Sequence, residues 1–242
     1  MNGCWDGPIP EPQVRTIEDM RDVLADPDCT SDQPLYFMYR DLARSRSDRE
    51  WLRQHHLRYD ITVIPARVLC GEYVKTKGHY HPRNAAGEYY PEVYEVLKGR
   101  GHYLLQTCTA DDVVMIEASI GEKVLIPPGY GHVTINPGRE ELVMANLVSS
   151  DFSSDYGPYV ERRGAAYYEM EGGALVKNPR YPDAPPVRCC DPVEVPEIGI
   201  RRGCGLYDLV GQPHSVAFLN RPEEFMEIMV GALRRVPQRG RR

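Results

Sequence analysis

The sequence predicts an all-β sandwich or barrel, and three observations support this. Short hydrophobic or alternating segments recur between Tyr59 and Lys177, each bounded by Gly, Pro or Asn. Their spacing of about 8–12 residues is typical of strands in a sandwich or barrel. The 242 residues include 21 glycines and 21 prolines, which favours many turns over a helical bundle. The predicted strands are Asp60–Pro65, Glu72–His81, Val93–Leu97, His102–Gln106, Val113–Ile116, Lys123–Ile126, His132–Ile135, Leu142–Leu147, Ala165–Met170 and Ala174–Lys177.

The turns between these segments are also predicted locally. Gly99 to Gly101 and Pro137 to Glu140 are expected to close hairpins. A turn at 155–158 then leads to a last hairpin around Gly172 and Gly173. On this basis residues 59–180 form the barrel.

Residues 1–58 are predicted to be an N-terminal arm and helices that pack on the barrel. The first 14 residues are proline-rich, and Thr16 is the expected N-cap of a helix that ends at Pro27. A strand at 35–40 and a polar helix at 47–56 follow. Residues 181–242 form the third region. Their proline-rich first part is expected to wrap the barrel without regular structure, and a helix is predicted over 222–234 before a basic tail.

Composition excludes several classes of function. The net charge of −6 argues against a nucleic-acid surface. No apolar run approaches the ~20 residues that span a bilayer, and the N-terminus lacks the pattern of a secretory signal. These features predict a cytoplasmic protein with no membrane partner. The seven cysteines have no metal-ligand spacing, so free thiols are expected in that compartment.

The strongest functional pattern is a set of histidines and a carboxylate. His79 and His81 are two residues apart, so on a strand both imidazoles point to one face. His132 begins another predicted strand after a Pro-Gly turn. Three imidazoles and one carboxylate suit one divalent transition metal, which is Fe, Mn, Zn, Ni or Co.

Three glutamates compete for the fourth ligand position. Glu92 directly precedes a hydrophobic strand and is favoured, while Glu88 lies in the preceding loop. Glu95 points to the other face of the strand. The remaining histidines, His55, His56, His102 and His214, are expected to be surface, capping or packed side chains.

Two motifs give this pattern a family resemblance. Gly78 to His81 with Glu92 and Gly99, and Gly121 to Asn136 with Pro127, Gly129 and His132, resemble the two cupin motifs. Together with the segments at 15–20, 76–81, 97–101, 104–106 and 155–157, the chain is similar to the archaeal cupin-type glucose-6-phosphate isomerases over roughly 15–180. The resemblance implies a double-stranded β-helix (jelly-roll) barrel, and it also implies that the chain forms a homodimer.

The resemblance also implies a site. His79, His81, Glu92 and His132 would bind the metal, with Glu92 as the catalytic carboxylate. Substrate-binding roles carry over to Thr62, Thr76, Gly78 and Tyr156 at the phosphate and to Tyr94 in the pocket. The implied reaction interconverts glucose 6-phosphate and fructose 6-phosphate, through an enediolate or a hydride shift.

This chain departs from the family in two places. The segment between His81 and Glu92 is longer, which places an extra loop at 84–90 near the pocket mouth. Val148 and Ser154 stand where the family has a tyrosine and a histidine that contact substrate. The alternatives are therefore an isomerase of another sugar phosphate, a metal-dependent cupin oxygenase, and a non-catalytic sugar- or metal-binding cupin.

Overall fold

Two β-sheets face each other in the computed structural model, which describes residues 5–192, 194–231 and 233. The larger sheet has six strands in the order β1-β2-β3-β11-β6-β9, and the smaller has four in the order β10-β7-β8-β14. The strands are β1 Gln13–Arg15, β2 Tyr36–Tyr39, β3 Leu57–Ile64, β4 Val68–Leu69, β5 Glu72–Tyr73, β6 Glu92–Lys98, β7 Arg100–Thr107, β8 Val113–Ser119, β9 Lys123–Ile126, β10 Tyr130–Ile135, β11 Leu142–Ser149, β12 Tyr167–Glu169, β13 Leu175–Lys177 and β14 Arg188–Cys190.

Helices are short and few in the described part of the chain. The α-helices are α1 Ile17–Met20, α2 Arg46–Gln54, α3 Gly157–Glu161, α4 Pro213–Val216 and α5 Met226–Gly231. Further 3-10 turns lie at Arg21–Val23, Pro196–Ile198, Leu206–Leu209, Ala217–Leu219 and Pro222–Glu224. The prediction of an all-β cupin barrel is confirmed.

Alternation along the central strands separates two environments. On β3, Leu57, Tyr59 and Ile61 join an apolar cluster on the outer face of the larger sheet. The intervening side chains of Arg58 and Thr62 line the interior cavity. Because side chains alternate along a strand, the sequence places one apolar and one polar set on opposite faces.

The C-terminal segment covers that outer apolar face. Ile198, Leu206, Phe218 and Leu219 are buried in the same cluster as the outward side chains of β3, β6 and β11. The interior between the sheets holds a second cluster, in which Tyr94 and Tyr103 lie with ring centroids 5.4 Å apart. The six-stranded sheet is therefore packed on both faces.

Both hairpins predicted in the middle of the barrel are wrong. β6 pairs with β11 and β9, whereas β7 pairs with β8 and β10 in the other sheet. Gly99, with φ +77°, thus carries the chain from one sheet to the other. The segment from Pro137 to Glu140 makes the same crossing between β10 and β11. Turn residues indicate that a strand ends, but they do not determine the sheet to which the next strand belongs. The β12–β13 hairpin is confirmed.

Other local predictions need correction. The strand predicted over 72–81 is regular only at β5, after which single bridges join it to β10 and to Asp155. The wrap after residue 178 contains β14, which pairs in parallel with β8. The C-terminal helix is divided into a 3-10 turn and α5, and the basic tail lies outside the described residues.

The cysteine prediction is wrong for one pair. Cys29 and Cys70 form a disulfide with Cα atoms 5.9 Å apart, while Cys108, Cys189, Cys190 and Cys204 are free. Connectivity of this kind cannot be deduced from spacing. No helix in the described residues has the length and apolar character to cross a membrane.

Candidate metal centre

Four side chains converge inside the barrel, and three of them line the interior cavity. His79, His81, Glu92 and His132 each offer a ligand atom, and these atoms all lie within 4.8 Å of one another. Glu92 begins β6 in the larger sheet and His132 lies on β10 in the smaller one. His79 lies beside β10, where its backbone bridges to that of His132. The two sheets therefore meet at this cluster.

Backbone carbonyls orient two of the histidines. His81 Nδ1 lies 2.9 Å from the Tyr90 carbonyl oxygen, and His79 Nδ1 lies 3.4 Å from that of Lys77. A carbonyl only accepts, so in the neutral imidazole each Nδ1 carries the proton and each Nε2 keeps a free lone pair. This is the arrangement in which imidazole nitrogens bind metal ions.

Glu92 shows most directly that the cluster fits a cation. Asn146 Nδ2 donates to Glu92 Oε1 at 2.7 Å, which fixes the carboxylate. Glu92 Oε2 is buried without a hydrogen-bond partner among the described residues, although the Nε2 atoms of His81 and His132 are each 3.3 Å away. Because buried polar atoms are normally paired, an unpaired carboxylate oxygen beside imidazole lone pairs fits a bound divalent cation.

Protonation of the cluster favours metal ligation. Burial lowers the pKa of His79 well below its ordinary value, and the neighbouring His132 and His81 add to this effect. Burial also lowers the pKa of His132. Burial raises the pKa of Glu92, but the close polar contacts with His132 and His81 outweigh it and the net shift is well downward. Neutral imidazoles and an ionised carboxylate are the forms that bind metals.

The competing residues lie elsewhere. Glu95 faces the outside of the sheet, where it pairs with Lys123 at 3.2 Å. Glu88 stays in the loop, with its backbone N–H bonded to Asn84. His102 Nδ1 binds the Glu169 carboxylate at 2.9 Å, as a packed strand histidine would. His55 stacks on Trp51, His56 contacts Asp151, and His214 is exposed.

A cavity opens from the cluster, with about 490 Å³ of empty space when its open mouth is included. It is lined by four of the five predicted substrate-binding residues, namely Thr62, Thr76, Tyr94 and Tyr156. Gly78 does not line it. A Cβ at Gly78 would lie 2.3 Å from the buried Tyr159 ring, so the position requires glycine for packing. The ligand and substrate roles of all these residues stay predictions.

The structure adds residues that the sequence did not single out. Arg40, Arg58, Asn146 and Phe152 all line the cavity. The two departures, Val148 and Ser154, line it as well. Alternation on β3 and β11 carried a signal for Arg58 and Asn146, because both share a face with Thr62 or Val148.

The fold and this cluster define the chain as a cupin with a candidate divalent-metal centre. A family model described as glucose-6-phosphate isomerase (GPI) matches residues 14–185. The glucose-6-phosphate isomerase of Thermococcus gammatolerans is 31% identical over 175 residues, which are 69% of this chain and 86% of that protein. That of Thermococcus litoralis is 30% identical over 176 residues, with the same coverage. The chain belongs to the glucose-6-phosphate isomerase family.

Solved structures are similar only at a distance. A recombinant oxalate oxidase in complex with glycolate aligns with a TM-score of 0.31 and 19% identity, over 43% of this chain and 44% of that one. The oxalate decarboxylase of Lactobacillus farciminis in a formate complex aligns with a TM-score of 0.38 and 15% identity, over 53% of this chain and 32% of that one. The residues after 185 lie beyond the family match and form this chain's own C-terminal extension.

Proposed function

We propose that this protein is a metal-dependent isomerase that interconverts glucose 6-phosphate and fructose 6-phosphate. The observation that carries the proposal is the four-residue cluster at the end of an interior cavity, in a chain of this family. His79, His81, Glu92 and His132 would hold one divalent ion, for which Fe, Mn, Zn, Ni and Co all suit the donor set. When bound, such an ion supplies Lewis-acid polarisation of the sugar's carbonyl and hydroxyl oxygens.

The side chains around the cluster suggest how hydrogen moves between C1 and C2. Glu92 is the candidate proton carrier, since it is the carboxylate of the cluster, lines the cavity and has one oxygen without a hydrogen-bond partner among the described residues. Burial raises the pKa of Tyr94 well above its ordinary value, so this residue stays protonated. Its hydroxyl lies 3.0 Å from His132 Nε2 in the cavity wall. We infer that Tyr94 donates a hydrogen bond to a sugar oxygen and that Glu92 moves the proton between C1 and C2.

Direct hydrogen transfer from carbon to carbon is the competing route. The two routes differ in the fate of solvent hydrogen. Conversion in D₂O places deuterium at the exchanging carbon if Glu92 carries the proton, and leaves it absent in a direct transfer. Mass or NMR analysis of the product distinguishes the two.

Activity itself is tested with the purified chain loaded with each of the five metals. A coupled assay for glucose 6-phosphate formed from fructose 6-phosphate should show turnover that EDTA removes and metal restores. His132→Ala should abolish it. No turnover at full metal occupancy would overturn the proposal and leave a non-catalytic binding role.

A second candidate is an isomerase of a different sugar phosphate. Val148 and Ser154 at the cavity wall favour it, because both change the shape and polarity of the pocket. A panel of aldose and ketose phosphates in the same assay ranks the substrates by kcat/KM.

A homodimer is proposed from the family resemblance alone. Sedimentation equilibrium should give twice the mass of one chain, and a monomer at micromolar concentration contradicts it.

A further inference from the structure

Three cationic side chains line the same cavity as the metal cluster. They are Arg40, Arg58 and Lys77. The Lys77 ammonium group already donates a hydrogen bond to the Asp19 backbone carbonyl at 2.8 Å. The two guanidinium groups instead share a single carboxylate as their hydrogen-bond acceptor.

That carboxylate belongs to Asp60, whose side chain is 0% exposed. Arg40 Nη1 and Arg58 Nε donate to its Oδ2 at 2.6 and 2.7 Å, and the Asp41 backbone N–H donates to Oδ1 at 3.0 Å. Two cations thus share one anion. Arg40 and Arg58 are here called the arginine pair. Together with Asp60 they carry a net charge of one positive unit at the cavity wall.

The arginine pair also keeps free donors. Within the described chain, Arg58 Nη1 and Nη2 have no hydrogen-bond acceptor, and the contact of Arg40 Nη2 is the Met38 sulfur at 3.0 Å. A thioether is a weak acceptor. Both side chains are 27% exposed, so these donors are accessible to a ligand.

Strand register places the arginine pair relative to the metal end. Val148 on β11 lies opposite Arg58 on one side and opposite Glu92 on the other. Arg58 is therefore level with Glu92 and two strands away, or about 10 Å between Cα atoms. A ligand that reaches both must be polar at its two ends, as a phosphorylated sugar is.

Arg40 lies near the predicted phosphate contacts, because it follows β2 two residues after Met38, which pairs with Thr62. Burial lowers its pKa, but Asp60 outweighs burial and the net shift is upward, with contributions from Tyr94 and Tyr156. Its charge thus lies close to both tyrosines. By contrast, the predicted contacts Thr62, Thr76 and Tyr156 are neutral, and the Thr76 hydroxyl already accepts from the Thr134 backbone N–H at 2.9 Å.

We propose that Arg40 and Arg58, held by Asp60, bind the phosphate monoester of the substrate and make the cavity select phosphorylated over free sugars. The proposal rests on the proposed function, which supplies a sugar phosphate as the ligand. A phosphate monoester carries about −1.5 to −2 charges at neutral pH, and the arginine pair adds positive charge that the neutral hydroxyls of the predicted contacts do not supply. Guanidinium groups match its charge and geometry through paired N–H donors.

The test measures binding of fructose 6-phosphate and of inorganic phosphate to the full-length metal-loaded protein by calorimetry. Arg58→Met keeps the aliphatic stem and removes the charge, while Asp60 retains Arg40 and the Asp41 N–H. Both ligands should bind about 10- to 100-fold more weakly, the usual cost of a charge-assisted hydrogen bond. Arg40→Met should behave alike. Arg58→Lys keeps the ion pair and should fall in between, since an ammonium lacks the paired donors.

The matched control is Arg46→Met, which removes an exposed arginine of α2 that pairs only with Glu50 within the described chain. It should bind both ligands as the wild type does. Thermal melts show which variants are folded. If Arg58→Met is unfolded, the affinity of Arg58→Lys for the two ligands tests the proposal instead.

The outcomes separate this proposal from the proposed function. Unchanged affinity in folded Arg40 and Arg58 variants, or turnover with unchanged KM, overturns the phosphate role and leaves the isomerase intact. Arginine-dependent binding of fructose 6-phosphate without any turnover supports the phosphate role and overturns the isomerase.

Discussion

Glu92 of the metal cluster and the arginine pair lie on the same inner face of the larger sheet, but their carboxylates are satisfied in different ways. Asp60 receives donors on both of its oxygens from within the chain. Glu92 has one satisfied oxygen and one buried oxygen that no donor in the described chain reaches. An internally satisfied carboxylate stabilises the fold, whereas an unsatisfied one is suited to an external cation. The comparison predicts that mutations at the two places separate function from stability.

Glu92→Gln should give the largest functional loss. The amide keeps the size but removes the negative charge that the carboxylate would contribute to holding a cation. Metal affinity should fall by more than about 100-fold, since losing even an outer-shell partner of a ligand costs 10- to 100-fold. Competition with a fluorescent chelator measures this without relying on activity.

The melting temperature of the metal-free Glu92→Gln protein is the accompanying readout. It should change little, because one of the two oxygens of Glu92 contributes no hydrogen bond to the fold. A large fall in stability would mean that Glu92 is structural in the way that Asp60 is.

Asp60→Asn should show the opposite pattern. Removing the charge leaves two guanidinium groups facing each other, and breaking a buried ion pair costs about 3 kcal/mol even at the low end. Urea unfolding of the metal-free protein should report that loss, with metal affinity nearly unchanged. Asp22→Asn, the same substitution at an exposed position, is the control and should leave stability within about 0.5 kcal/mol.

The metal cluster could be predicted from the sequence, whereas the arginine pair could not. His79 and His81 were recognisable because strand periodicity acts over two residues, and His132 and Glu92 because each adjoins a strand boundary. The arginine pair depends on the pairing of β2 with β3, which brings together residues 40 and 60. Nothing in the local pattern fixes that register. The crossings at Gly99 and after Pro137 were missed for the same reason, since both depend on which sheet receives the next strand.

Gly78→Ala tests whether Gly78 serves packing or binding of the substrate phosphate. The resemblance assigns this residue to the phosphate, but a Cβ at this position would lie 2.3 Å from the ring of Tyr159, which is fully buried. The added methyl group should cost about 2 kcal/mol of stability, as overpacking usually does. Gly231→Ala, with nothing within 4 Å of the added atom, is the control. A stable Gly78→Ala protein with a raised KM would favour the phosphate role instead.

The pH dependence of stability should come from the metal end. The arginines stay charged throughout, whereas burial holds His79 and His132 neutral in the folded protein. In the unfolded chain both take up protons below a pH of about 6.5. A group whose folded pKa is lowered in this way destabilises the fold as pH falls below the pKa in the unfolded chain.

The metal-free protein should therefore be most stable above about pH 7 and melt at lower temperature at about pH 5.5. His79→Gln should flatten this profile, and an unchanged slope contradicts the assignment.

The smallest effect is expected where the C-terminal extension meets the metal end. Asn84 Oδ1 accepts hydrogen bonds from the backbone N–H groups of Ala86 and Glu88 at 3.0 Å. Asn84 Nδ2 donates a hydrogen bond to the carboxylate of Glu223 in the extension at 2.9 Å. The loop ends at Tyr90, whose carbonyl orients His81 and whose ring stacks on Phe152 at 4.7 Å. The extension is thus connected through the loop at 84–90 to His81, a candidate metal ligand.

Because the Asn84–Glu223 contact is exposed and acts on the metal only through the loop, Glu223→Ala should weaken metal affinity by about 3-fold, well below the cost of losing a direct ligand partner. Glu224→Ala removes the neighbouring carboxylate, which pairs with Arg221 and has no bond to the loop in the described chain. If the two variants bind metal equally well, the extension only covers the outer face of the sheet. If Glu223→Ala alone is weaker, a segment beyond the family's shared region tunes the metal end, while the arginine pair remains independent of it.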